Sequence, residues 1–122
     1  MKFTKEHEWV EVSGDIATVG ITDHAQSQLG DIVSVELPKV GAAVSLGKEI
    51  AMVDSMKASS PVYAPVSGKV VEANAGLDGQ PQLINKSPHK DGWIAKIQIS
   101  DSRELDSLMT EEEYRRFLEE SK

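Results

Sequence analysis

Up to Ile99 the chain breaks into short β-rich apolar runs separated by turn residues, and one of them, 31–37, alternates with the period of two of a half-buried strand. Glu8-Trp9-Val10-Glu11-Val12 and Ile16-Ala17-Thr18-Val19-Gly20-Ile21 read as two strands joined by Ser13-Gly14-Asp15, a hairpin with a short glycine-containing loop. Residues 31–37 alternate with Val33, Val35 and Leu37 on one face and stop at Pro38, which cannot donate to a sheet ladder. Further runs at 49–53, 62–66, 69–74 and 93–99 follow, the last offering Trp93, Ala95, Ile97 and Ile99 to the interior. Its Trp-Ile-Ala-Lys-Ile echoes Glu-Ile-Ala-Met-Val at 49–53, a hint of internal two-fold symmetry.

A helical period appears only in short pieces. Thr22-Asp23 offers a cap for a helix with Ala25 and Leu29 on one face and Gly30 as its stop. Residues 75–90 are irregular and rich in Gly, Pro and Asn, with a helical turn expected near 81–84. Residues 102–109 read as one short helix. Thr110-Glu111-Glu112-Glu113 is a capping box, and Tyr114, Phe117 and Leu118 follow as an amphipathic stripe that covers the sheet. The fold class is therefore mainly β with short helices and a helical tail.

Two of the strand runs, 49–53 and 62–66, enclose Asp54-Ser55-Met56-Lys57-Ala58-Ser59-Ser60-Pro61. Strand, small polar residues around a lysine, strand is the pattern of a hairpin with Lys57 near its tip. Ser55 and Ala58 are too small to shield the amine, so it is expected in water. Gly41 and Gly68 flank the hairpin where strands must turn, positions suited to a residue without Cβ at φ > 0.

At 122 residues the chain is read as one domain, 1–122, with a core over about 8–99 and helices over about 102–120. Its net charge of −7 disfavours nucleic acid, whose affinity depends on basic residues. With no cysteine there is no disulfide framework, thiolate nucleophile or thiol metal site. His7, His24 and His89 lack ligand spacing, so no metal is expected. No apolar run is long enough for a membrane span and the N-terminus lacks a leader pattern, which makes a cytoplasmic protein the expectation. A hydrolase built on His7 and Glu8 is disfavoured, because neighbours on a strand point to opposite faces.

The lysine hairpin with its flanking glycines resembles the lipoyl and biotinyl carrier domains. Lys5-Glu6-His7-Glu8-Trp9-Val10, Ala17-Thr18-Val19-Gly20-Ile21-Thr22-Asp23-His24-Ala25-Gln26, Leu29-Gly30-Asp31-Ile32-Val33 and Glu36-Leu37-Pro38 narrow the likeness. With Pro65-Val66-Ser67-Gly68, Leu83-Ile84-Asn85 and Gly92-Trp93, the chain resembles the H-protein family of the glycine cleavage system over roughly residues 3–120.

The resemblance implies a flattened β-barrel or sandwich of the lipoyl-biotinyl type and a non-catalytic carrier, with lipoic acid in amide linkage to Lys57. The implied partners are a pyridoxal-phosphate glycine decarboxylase, a tetrahydrofolate-dependent aminomethyltransferase and dihydrolipoamide dehydrogenase, with a lipoyl ligase or octanoyltransferase for attachment. Asp54 stands where the family commonly carries an acidic residue and is the candidate for guiding that attachment, with Ser55 and Ala58 as further recognition or arm-contact candidates. Glu8 is the candidate for holding a charged aminomethyl group. Pro61 and His89 depart from the Asp and Tyr usual in the family. A lipoate relay to 2-oxoacid dehydrogenase complexes is an alternative. Biotin is a weaker one, since methionine precedes Lys57 but Ala58 follows it.

Overall fold

The structure is a computed structural model that describes residues 1–120; Ser121 and Lys122, the end of the expected 1–122 span, lie outside the described residues. In chain order come β1 (Lys2–Phe3), β2 (Glu8–Ser13), β3 (Ile16–Ile21), α1 (Asp23–Leu29), β4 (Ile32–Glu36) and β5 (Ala43–Val44). Then follow β6 (Glu49–Ser55), β7 (Ser59–Tyr63), β8 (Gly68–Ala73), α2 (Gly76–Gly79), α3 (Leu83–Lys86), β9 (Ala95–Ile99), a 3₁₀ turn (Ser102–Ser107) and α4 (Glu111–Glu120). One antiparallel sheet runs β1-β2-β3-β9-β8-β5 and the other β4-β6-β7. Their inner faces pool Val10, Val19 and Ile97 from the first with Val35, Val53 and Val62 from the second into one core, a flattened barrel-sandwich. Each such fully buried side chain contributes about 1.5–3 kcal/mol. The echoing segments at 49–53 and 93–97 fall in or beside β6 and β9, each of which is paired on both edges.

The strand expectations needed adjustment where the pleat is broken. In β4 the register slips between Ile32 and Ser34, so Val33 is the extra residue of a bulge. It is 49% exposed while Ile32 and Val35 are buried, against the single face expected for Val33, Val35 and Leu37. Trp93 precedes β9 and is only half-buried, and Ile94 takes the interior place. Trp93 packs instead on a satellite cluster of Phe3, Trp9 and Tyr114. The run 62–66 leaves the sheet after Tyr63, although Pro65 and Val66 remain fully buried. Pro61 is tolerated because β7 is an edge strand. The expected helix at 102–109 is a 3₁₀ turn, and the irregular 75–90 segment holds two short turns that bury Leu77 and Ile84. Burial also reaches past 8–99, to Phe3, Leu108 and Tyr114.

The caps form as the sequence dictates. The Thr22 hydroxyl accepts from Ala25 N, and Gly30 ends α1 with φ 80°. At α4, Glu113 Oε1 accepts from Thr110 N at 2.9 Å and Thr110 Oγ1 from Glu113 N at 3.2 Å.

Candidate functional site

The β6–β7 hairpin carries Lys57 at its tip, where Asp54 pairs with Ser59 and the chain turns through Met56, Lys57 and Ala58. Ser55 organises that turn. Its backbone N donates to Ala58 O at 2.8 Å, while its hydroxyl donates to Ala58 O and accepts from the backbone N of both Lys57 and Ala58. Met56 N donates to Asp31 O at 3.0 Å, tying the tip to the loop after α1. Ser55, Ala58 and Lys57 are thus brought together as one hydrogen-bonded turn with an exposed lysine. The lysine stem does not stand clear of the protein, because it lies along Gly30. A Cβ added there would meet Lys57 Cε at 3.2 Å and Nζ at 3.8 Å.

Asp54 shares the hairpin. Its carboxylate accepts from Ser59 Oγ at 2.5 Å and Ser34 Oγ at 2.9 Å, and these two hydroxyls hold its pKa below the usual carboxylate range. The result is a fixed negative charge on the surface near the lysine.

Glu8 lies apart from the tip and is not on the surface, being only 2% exposed. Its two oxygens accept from Thr4 Oγ1 and from Tyr63 N, both at 2.9 Å. Burial pushes its pKa up from the ordinary 4.5 to about 7, against the pull of the Tyr63 and Thr4 hydrogen bonds and with help from the Glu6 charge. A carboxyl that changes charge near neutrality is a common mark of a binding or reacting site.

Between α1 and the hairpin runs a groove of about 340 Å³. Ala25, Gln28 and Leu29 form one side, Val53, Ser60, Pro61 and Val62 another, and Glu6, His7 and Glu8 close it. Leu29, at the α1 end of the groove, is the chain neighbour of Gly30, against which the Lys57 stem lies, and the groove also borders the buried acid. Glu8 also borders a second, more apolar cavity of about 210 Å³ beside Leu46, Tyr63 and Leu108.

His7 and Glu8 share the groove, contrary to the alternation argument. His7 precedes β2 and has φ 66°, so the strand rule does not reach it. Gly41 and Gly68 are remote from the tip. Gly41 has φ 94° and donates to Val70 O beside β8. Gly68 is not at a turn with left-handed geometry; at φ 159° it is close to extended and opens β8. Glycine is required there because a Cβ would stand 1.9 Å from Gln98 O. His89 takes a place among the aromatics, with ring centroids 6.3 Å from Phe3 and 6.2 Å from Trp9.

Sequence reasoning missed Asn85 as an organiser of the site. Its side chain accepts from Ile32 N and donates to Gly30 O and Gln26 Oε1, fixing the end of α1 on which the lysine rests. Only a buried-end polar residue in a Leu-Ile-Asn run hinted at it. Among the described residues no group of three or more His, Cys, Asp or Glu is placed to hold a metal, and no helix is long and apolar enough to cross a membrane.

Residues 1–121 match the family model described as Glycine cleavage H-protein. The chain is 53% identical to the glycine cleavage system H protein of Thermotoga maritima over 116 residues, covering 95% of this chain and 94% of that protein. Against the mitochondrial H protein of Pisum sativum the identity is 51% over 120 residues, 98% of this chain and 73% of the other. The crystal structure of the H protein from Mycobacterium marinum superposes with a TM-score of 0.86 at 36% identity, over 94% of this chain and 93% of that one. With an exposed lysine at a hairpin tip and likeness along almost the whole chain, this protein belongs to the glycine cleavage H-protein family.

Proposed function

We propose that the chain, as a single carrier domain over 1–122, bears lipoic acid on Lys57 and shuttles in glycine cleavage without catalysing a step itself. It would carry the aminomethyl group from a pyridoxal-phosphate glycine decarboxylase to a tetrahydrofolate-dependent aminomethyltransferase, and offer its dithiol to dihydrolipoamide dehydrogenase. A cytoplasmic setting belongs to the same proposal, since reducing compartments keep dithiols available.

The observation that carries this reading is the exposed lysine at a hydrogen-bonded hairpin tip, its stem against Gly30 at the end of α1, the helix that also lines a groove closed by a buried acid. The residues fit the group. The tip presents the amine to an attaching ligase or octanoyltransferase, Asp54 supplies a fixed charge for that enzyme to read, and the apolar sides of the groove suit an aliphatic chain. When bound, lipoic acid supplies reversible disulfide–dithiol chemistry. The protein has no cysteine that could trap it as a mixed disulfide. Glu8, which lines the groove, would accept a hydrogen bond from an ammonium entering it, and that ammonium would favour the ionised form of the acid. Enclosure of the charged group beside Glu8 limits its exposure to water.

Incubation with a lipoate-attaching enzyme and intact-mass measurement tests the attachment. The wild type gains one lipoyl group and Lys57→Arg gains none. A gain at another lysine, or a streptavidin-reactive product from native cells, would refute the assignment.

A further inference from the structure

Two residues of the groove lining, Ala25 and His7, are joined through Thr22 and Tyr114 by a hydrogen-bonded chain for which the carrier reading supplies no role. Ala25 N donates to Thr22 Oγ1 at 3.2 Å, Thr22 Oγ1 lies 2.8 Å from Tyr114 Oη, and Tyr114 Oη lies 2.8 Å from His7 Nδ1. Thr22 and Tyr114 are 1% and 5% exposed, so their hydroxyls are largely withdrawn from water and favour protein partners.

Counting protons fixes the direction. If His7 Nδ1 is a bare acceptor, Tyr114 donates to it and Thr22 donates to Tyr114, and every proton is used. Were Nδ1 protonated, it would donate to Tyr114, and the two hydroxyl protons would have one oxygen–oxygen contact between them. One would be left buried without an acceptor, a desolvation cost that the bare-acceptor arrangement avoids.

We propose that Thr22 and Tyr114 form a one-way relay that holds the His7 imidazole neutral, as the Nε2–H tautomer, on the wall of the groove beside Glu8. His7 is well gripped for this. It is the one non-glycine residue with positive φ among those described, its N donates to Thr4 O, and its O accepts from Thr22 N. The charged and titratable groups around it are His24 from α1, with ring centroids 4.7 Å away, Tyr114 from α4, and Glu6 and Glu8 on its own segment. Burial and the His24 ring push its pKa down, and Glu6 opposes them. From β7 the groove presents only Ser60, Pro61 and Val62, none of which titrates.

The consequence deepens, and rests on, the carrier reading. An imidazolium beside Glu8 would repel a cationic amine, whereas a neutral His7 leaves Glu8 and Glu6 to set the potential. Tyr114 and Thr22 are then positioning residues, acting on the cargo through the charge state of His7. They also make α4 part of the site rather than a cover for the sheet.

Long-range proton–nitrogen NMR of ¹⁵N-labelled full-length protein, titrated from about pH 5 to about pH 8, tests this across the histidine range. The expected wild-type result is a single Nε2–H tautomer for His7 with a midpoint below the ordinary histidine value. Tyr114→Phe keeps the ring stacked on Phe3, 4.7 Å away and nearly parallel, while removing the hydroxyl. It should mix the two tautomers of His7 and move the midpoint upward. Thr22→Val should do the same and Thr22→Ser should restore the wild-type signature. A protonated Nδ1 in the wild type, or an unchanged tautomer and midpoint in both Tyr114→Phe and Thr22→Val, overturns the relay. Lys57→Arg should leave the His7 spectrum as it is, so failure of lipoylation and failure of the relay are separate results.

Discussion

Replacing Glu8 by Gln removes the one strongly shifted acid of the groove and keeps its shape. The folded-state pKa is about 7 against an ordinary 4.5, so the folded protein holds the Glu8 proton more tightly than the unfolded chain does. For a raised pKa the stabilising contribution is complete below 4.5 and is lost as pH rises through 7. The full difference amounts to about 3 kcal/mol, of which roughly 2.5 falls between about pH 5 and about pH 8. Gln cannot titrate. It can accept from Tyr63 N through its carbonyl and donate to Thr4 Oγ1 through its amide, so any fixed cost of the substitution is the same at each pH. Urea unfolding of both proteins at several pH values isolates the titration, because shifts at other groups such as His7 cancel in the difference. The stability of Glu8→Gln relative to wild type should rise by roughly 2.5 kcal/mol from the acid to the alkaline end. A difference flat to within about 0.5 kcal/mol would refute the reasoning, showing that Glu8 titrates as an ordinary surface carboxylate.

Gly68→Ala should destabilise by more than about 3 kcal/mol in chemical denaturation, because its Cβ would overlap Gln98 O and force β8 away from β9. Asn85→Ala strands Ile32 N and Gly30 O and should cost about 2–3 kcal/mol, with faster hydrogen exchange at Ile32 as the local readout. Asp54→Asn leaves the exposed hairpin folded, with an unchanged urea midpoint, but should slow attachment of the lipoyl group to Lys57 in a timed mass assay.

The sequence alone determined the elements whose causes are local. Short apolar, β-rich runs bounded by turn residues placed β2, β3, β6 and β8 within a few residues, Thr22 and Gly30 bounded α1, and Thr110 with Glu113 set the start of α4. The hairpin around Lys57 was legible for the same reason, since small polar residues between two apolar runs leave the chain little choice but to turn. Tertiary structure decided what depends on distant partners. Bulges at Val33 and Val71 reset which residues face inward, and a bulge is a property of the paired ladder rather than of either strand. The need for glycine at 68 comes from Gln98, and the anchoring of the lysine platform comes from Asn85. Glu8 could be named from the segment around it, but its shifted charge could not. That shift arises from burial in the folded protein, which outweighs the opposing hydrogen bonds from Tyr63 and Thr4, and burial, not neighbouring sequence, sets the free energy of ionisation.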